Sequence, residues 1–242
     1  MRTAIGQIRK LTGMSAVVFS MVAAFPAACK YQEKGFTYEK DSLIFQDCFD
    51  STLDHWVVEV DSAPGVTIEI RNGKLMIDVD RGATVWFNQK LSGNLLFEYK
   101  RKVIMDGGPN DRLSDMNQFW MAGDPRNPVL FTRKGAFAEY DSLRMYYAGI
   151  GGNYNNTTRF RKYNGNGGRI LYHDLTDTTR LLKPNHTYLI EVMVYKGTTR
   201  VFVDNEEFFS FTDPDPIESG YFGIRTTWSR QEIDDFKVYR LK

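Results

Sequence analysis

From Leu43 onward, apolar and polar residues alternate in short runs broken by turn residues, the period-two signature of half-buried β-strands. Thr67–Arg71 closes on Asn72-Gly73, a strong two-residue hairpin signal, and Lys74–Asp80 then alternates cleanly. Arg81-Gly82 turns the chain into Thr84–Phe87, and Leu95–Ile104 follows as a long alternating strand. Tyr188–Tyr195 and Arg200–Asp204 flank Lys196-Gly197-Thr198-Thr199, Asp204-Asn205 leads into Glu207–Phe211, and Tyr221–Trp228 and Glu232–Leu241 complete the set. No amphipathic helix of ordinary length and no internal repeat interrupts the series. The pattern predicts an all-β, two-sheet antiparallel sandwich. In the last strand Ile233 and Phe236 both belong in a core but have opposite parity, which predicts a bulge at Asp234-Asp235. Phe222, Ile224 and Trp228 share parity, which places Trp228 with them beneath the sheet.

The residues before this region read differently. Arg2, Arg9 and Lys10 precede an apolar run from Met14 to Phe25, too short to span a bilayer, and Pro26-Ala27-Ala28-Cys29 resembles a lipobox with Pro where Leu is usual. Residues 1–29 are thus expected to be a lipoprotein signal peptide ending at Cys29, the lipidation site, and the charged residues 30–42 a tether. The domain then spans 43–242. The expectation is an exported monomer in the periplasm or on the outer-membrane surface, held to the membrane by its lipid alone. With Cys29 lipidated, Cys48 has no partner for a disulfide and is expected to be a buried, inert thiol.

Charge removes one class of partner. The chain of 242 residues carries 31 Lys and Arg against 30 Asp and Glu, a net charge of +1, without the basic excess of a nucleic-acid binder. No metal motif stands out and no cofactor is expected, although Asp213-Pro214-Asp215-Pro216 with Glu218 leaves room for a structural calcium.

Candidate chemistry concentrates in Glu139–Tyr163, rich in Arg, Tyr, Asn and Gly. Arg144, Arg159 and Arg161 supply planar forks for carboxylates, and Tyr146, Tyr147, Tyr154 and Tyr163 supply flat faces for sugar rings. Alternation puts Arg144 with Tyr146, Arg159 with Arg161 and Tyr163, and Tyr221 with Arg225 and Thr227. Glu139-Tyr140-Asp141-Ser142-Leu143-Arg144 supplies two acids and then an arginine where the laminarinase-type pattern has a third acid, so half of a two-carboxyl glycosidase mechanism is missing.

Phe45-Gln46-Asp47-Cys48-Phe49 with Trp56, and the closing Gly220–Arg225 and Ile233–Val238, resemble the first and last strands of concanavalin A-like jelly rolls. Asn117-Gln118-Phe119-Trp120 and Tyr146–Asn153 resemble YesU-like proteins, exported bacterial proteins linked to the breakdown of acidic polysaccharides. The resemblance implies a concave sheet face that holds a saccharide. On it, an acidic oligo- or polysaccharide would be cleaved by β-elimination, with Arg144, Arg159, Arg161, Arg225, Asn117, Gln118 and Asn153 on the substrate and Trp120 and Tyr163 beside it. Tyr146 is the leading base, with Tyr147 and His173 as alternatives, and neighbouring arginines are expected to lower the phenol's pKa. The same side chains would serve a non-catalytic surface glycan-binding protein, with Trp120, Trp228 and Tyr154 as stacking platforms. Glycoside hydrolysis is the remaining alternative.

Overall fold

The computed structural model describes residues 31–33, 36–61 and 63–242, with side chains from Tyr38 onward; the proposed signal segment and Cys29 lie outside the described residues. In chain order the strands are β1 (Tyr31–Glu33), β2 (Phe36–Tyr38), β3 (Lys40–Asp47), β4 (Trp56–Val60), β5 (Thr67–Ile70), β6 (Leu75–Phe87), β7 (Leu91–Ser92) and β8 (Leu95–Val103). They continue as β9 (Met116–Gly123), β10 (Arg144–Gly151), β11 (Thr157–Asn164), β12 (Arg169–Leu175), β13 (Thr187–Tyr195), β14 (Thr198–Val203), β15 (Glu206–Thr212) and β16 (Ser219–Leu241).

Every pairing between them is antiparallel, and two layers result. The front sheet runs β12-β11-β10-β9, then residues 221–225 of β16, then residues 83–87 of β6, then β4. The back sheet runs β15-β14-β13-β8 and then the C-terminal half of β16, which also pairs β3 and residues 75–79 of β6. β6 and β16 therefore belong to both layers, and they cross at one corner, where the register slips between Thr227 and Ser229. Gly82 sits at this corner because a Cβ there would lie 2.2 Å from the Gly135 carbonyl oxygen. The bulge read from the sequence is present too: β16 slips against β8 between Asp234 and Lys237, with Asp235 at φ 55°, and both Ile233 and Phe236 are fully buried.

Between the layers lies an aromatic and aliphatic core. Phe222 stacks on Phe97 with centroids 4.6 Å apart, and the Trp120 indole donates to Thr199 Oγ1 at 2.9 Å, satisfying its one polar group. The slip at the corner also corrects one sequence reading. Trp228 takes φ 45°, leaves the parity of Phe222 and Ile224, and is 42% exposed.

A second apolar cluster forms on the outside of the front sheet. The segment 124–143 lies across it, and Leu130, Phe137, Tyr140 and Leu143 pack on Trp86, Phe119, Met145, Tyr147 and Tyr163. Glu59 anchors this cap from below, accepting from the Trp86 indole (2.8 Å), the Tyr140 hydroxyl (2.9 Å) and the Arg133 backbone N–H (2.8 Å). Arg133 ties the segment together through Asp124 and the carbonyls of Leu130 and Glu139. Half of the front face is thereby filled, and the other half stays open.

Candidate functional site

The open half is a cleft of about 350 Å³. Its floor follows from strand parity. On β10, Tyr147 and Gly149 face outward, on β9 Asn117, on β11 Arg159 and Arg161, and on β16 Thr227. Arg169 of β12 and Phe137 of the cap close one side, and Arg112 and Asp115, from the loop before β9, close the other. The turn Gly152–Asn155 forms the end wall.

Four arginines and a single carboxylate thus line the cleft among the described residues. Arg159 is held bidentately by Asp174 (2.9 and 3.1 Å), and Arg169 by Asp141 (2.7 Å). Arg161 has no carboxylate partner among the described residues; its guanidinium lies over the Tyr147 ring, 5.4 Å from the centroid. The Tyr147 hydroxyl donates to Asn117 Oδ1 at 3.0 Å. Burial pushes the Tyr147 phenol above its ordinary pKa, further raised by Tyr163, and Arg161 offsets this only in part. Burial likewise raises the Asp115 carboxyl, even though Arg112 at 2.5 Å favours its charged form.

The end wall has unusual backbone. Asn153, Tyr154 and Asn155 all lie in the left-handed region, at φ 53°, 57° and 61°. Asn tolerates this conformation and Tyr does not readily. The turn is fixed by Asn155, whose side-chain amide both donates to the Leu182 carbonyl (2.9 Å) and accepts from the Leu182 N–H (2.7 Å).

Of the residues singled out in the sequence, the structure brings Asn117, Tyr147, Asn153, Tyr154, Arg159 and Arg161 together, and most of the others lie elsewhere. Tyr146 points between the sheets, donates to Asp213 Oδ2 at 2.5 Å and accepts from the Ile217 N–H at 3.1 Å. Burial, reinforced by Asp213, raises its pKa, the reverse of the expected lowering by arginines, so it is not a base in the cleft. Gln118 and Trp120 face the inter-sheet core, where Gln118 Oε1 accepts from the Tyr99 hydroxyl at 3.2 Å. His173 packs beside Phe160 and Phe209 on the inner side of the edge strand. Arg144 pairs with Asp215 at 2.7 Å, beside a separate cavity between Pro125 and Ser219. Tyr163 and Arg225 have the expected outward parity, but the cap covers both, with Arg225 between the rings of Phe137 and Tyr140.

The loop considered for a structural calcium is engaged by cations of the chain itself, with Asp213 on Lys162 (2.7 Å) and Asp215 on Arg144. No group of three or more His, Cys, Asp or Glu suited to a metal occurs among the described residues. Cys48 is half-buried, its sulfur accepting from the Gln46 amide at 3.2 Å. Sequence reading missed Arg112, Asp115, Arg169 and Phe137. The run Asn110-Asp111-Arg112-Leu113-Ser114-Asp115 was a visible polar cluster, whereas nothing in the sequence showed that Phe137 folds back over β10.

Two antiparallel layers with a cleft on the front sheet make this an all-β, jelly-roll-like sandwich. Residues 77–236 match the family model described as "Domain of unknown function (DUF6250)", and the chain belongs to that family. No curated protein matches it in sequence. Among solved structures it is similar to a protein of unknown function with a galectin-like fold from Bacillus subtilis, at TM-score 0.70 and 17% identity over 84% of this chain and 98% of that one. It is also similar to an endo-beta-1,3-glucanase from Pyrococcus furiosus, at TM-score 0.57 and 11% identity over 88% and 98% of the two chains. A third is the Ca2+/Man3GlcNAc-bound exoplasmic/lumenal domain of VIP36, at TM-score 0.57 and 15% identity over 83% and 90%. At these identities the likeness defines the fold alone.

Proposed function

We propose that the protein recognises an acidic saccharide in the arginine-lined cleft, a uronate carboxylate lying against Arg161 on the Tyr147–Asn117 floor. One observation carries this reading: Arg161, alone among the four cleft arginines, is without a carboxylate partner among the described residues. A planar guanidinium that no carboxylate of the described residues engages, set in a concave site, suits a two-point carboxylate contact. The carbohydrate class draws support from neighbours of the fold, a glucanase and a glycan-bound lectin domain among them. The lipobox-like Cys29 and the YesU-like motifs support an exported lipoprotein that meets such glycans outside the cytoplasm.

Glycoside hydrolysis is disfavoured, because it requires two carboxyl groups flanking the bond and among the described residues the cleft offers Asp115 alone. Glu139 is turned onto the backbone N–H groups of Lys134 (2.9 Å) and Ala136 (3.0 Å), and Asp141 pairs with Arg169. β-Elimination is the second reading, favoured by Asp115 itself. A partly buried carboxylate with raised proton affinity, facing into a cleft of arginines, can take the proton beside a uronate carboxylate. The C–H electrons then form the new C=C bond as the glycosidic C–O bond breaks, and the leaving oxygen takes up a proton.

Calorimetric titration with uronate-containing oligosaccharides and with their neutral counterparts tests recognition. Binding of the acidic series alone is expected, and equal binding of both contradicts the reading. Ultraviolet absorbance of an unsaturated uronide on the same samples separates elimination from binding.

A further inference from the structure

Beside the cleft, two large aromatic side chains are exposed, Tyr154 at 68% and Trp228 at 42%. They come from distant parts of the chain, the end-wall turn and the corner of β16, and both occupy the left-handed backbone region, at φ 57° and 45°. Aromatic residues hold this conformation only where their surroundings impose it. Here Arg112 imposes it on Trp228, donating to the carbonyls of Thr227 and Trp228 (the latter at 2.8 Å) and bonding Asp115 with the same guanidinium. That guanidinium also lies over both rings, 5.0 Å from the Tyr154 centroid and 5.5 Å from the Trp228 centroid. One arginine therefore lies over both rings and joins them to the cleft, which Arg112 and Tyr154 also line. The other tryptophans, Trp56, Trp86 and Trp120, are at most 6% exposed.

We infer that Tyr154 and Trp228 form a stacking subsite for the sugar unit next to the one held by Arg161, so that the ligand is recognised as a chain of two or more units. This inference rests on the acidic-saccharide reading of the cleft. The apolar face of a pyranose ring suits an aromatic platform, as its carboxylate suits a guanidinium, and the platform opens directly onto the cleft. Aromatic–ring stacking is tolerant of sugar identity, so the rim sets the length of the ligand while the arginines set its charge.

The test uses uronic-acid monosaccharides and the trisaccharides of pectate, alginate and hyaluronan digests. Trisaccharides are expected to bind the native protein at least about tenfold more tightly than monosaccharides, and Tyr154→Ala and Trp228→Ala each to erase most of that gain. Monosaccharide affinity stays unchanged in Trp228→Ala, whereas Arg161→Gln lowers binding of both lengths. Iodide quenching of tryptophan fluorescence is a second readout that needs no variant: the trisaccharide shields Trp228 and the monosaccharide does not. Length-dependent loss in the rim variants together with shielding upholds the subsite. If Arg161→Gln abolishes binding while the rim variants and quenching show no dependence on length, the subsite is wrong and the cleft reading stands. If no uronate of either length binds, both fall.

Discussion

The Tyr147 hydroxyl donates to Asn117 Oδ1 directly above Gly149, where a Cβ would stand 2.1 Å from that hydroxyl and 2.5 Å from that oxygen. The floor of the cleft exists because β10 has no side chain at this position. Gly149→Ala forces the buried ring and the amide apart, and is expected to destabilise the fold by about 1–3 kcal/mol and to weaken ligand binding. Gly123→Ala is the control, since nothing lies within 4 Å of a Cβ there. Urea unfolding of the two variants measures the difference, and equal midpoints would contradict it.

Tyr146, the leading base from sequence, is expected to matter for stability and not for the ligand. Tyr146→Phe removes the donor to Asp213 and the acceptor for the Ile217 N–H, a loss of about 1–3 kcal/mol. Affinity and any turnover should match the native protein once the variant is shown to be folded. A drop in either would return Tyr146 to the site.

Lys162 pairs with the buried Asp213 at 2.7 Å, and Lys162→Met leaves that carboxylate uncompensated, at an expected cost of about 3–5 kcal/mol near neutral pH. Burial alone would raise Asp213; the Lys162 ammonium and the Tyr146 hydroxyl outweigh it and hold the carboxyl below its ordinary pKa. A lowered pKa contributes stability that is present above the unfolded value, about 3.9, and is lost as pH falls through the folded one. The gap between native and variant should therefore narrow on acidification below about pH 4. A gap that stays constant in thermal unfolding would show that this pair is not its source.

Among the described residues Asp115 carries the only negative charge lining the cleft, and its pKa lies above the usual carboxylate value. Protonation removes that charge while a uronate ligand remains ionised, so affinity should rise as pH falls from neutrality toward the Asp115 pKa. Asp115→Asn should bind more tightly at neutral pH and show no such rise. If elimination is the activity, the same variant loses turnover despite its tighter binding. Titrations across the acidic range, with rates measured in parallel, distinguish the outcomes.

Much of the sandwich was legible because alternation reports which side chains share a face. Arg159 with Arg161, Tyr221 with Arg225, and the bulge at Asp234-Asp235 all follow from parity, and the structure has them so. Parity does not say which face looks outward. Tyr146 and Tyr147 are neighbours of equal chemistry, and only packing against the back sheet decides that the first is core and the second is floor. Trp228 was misread because a single left-handed residue at the corner resets the count. The cap could not be read either. Residues 124–143 look like a loop, and their aromatic anchors find partners in β6, far away in sequence, as well as in the flanking β9 and β10. That long-range packing covers Arg225 and Tyr163 and leaves Arg161 open.

Arg161, without a carboxylate partner among the described residues, is the cation proposed to receive the ligand's carboxylate. The most direct measurement is calorimetric affinity of the native protein and Arg161→Gln for one acidic oligosaccharide and for its carboxyl-reduced counterpart. The native protein should prefer the acidic form by at least about tenfold, and Arg161→Gln should bring the two affinities together while unfolding at the native temperature. An undiminished preference in the variant would contradict the claim.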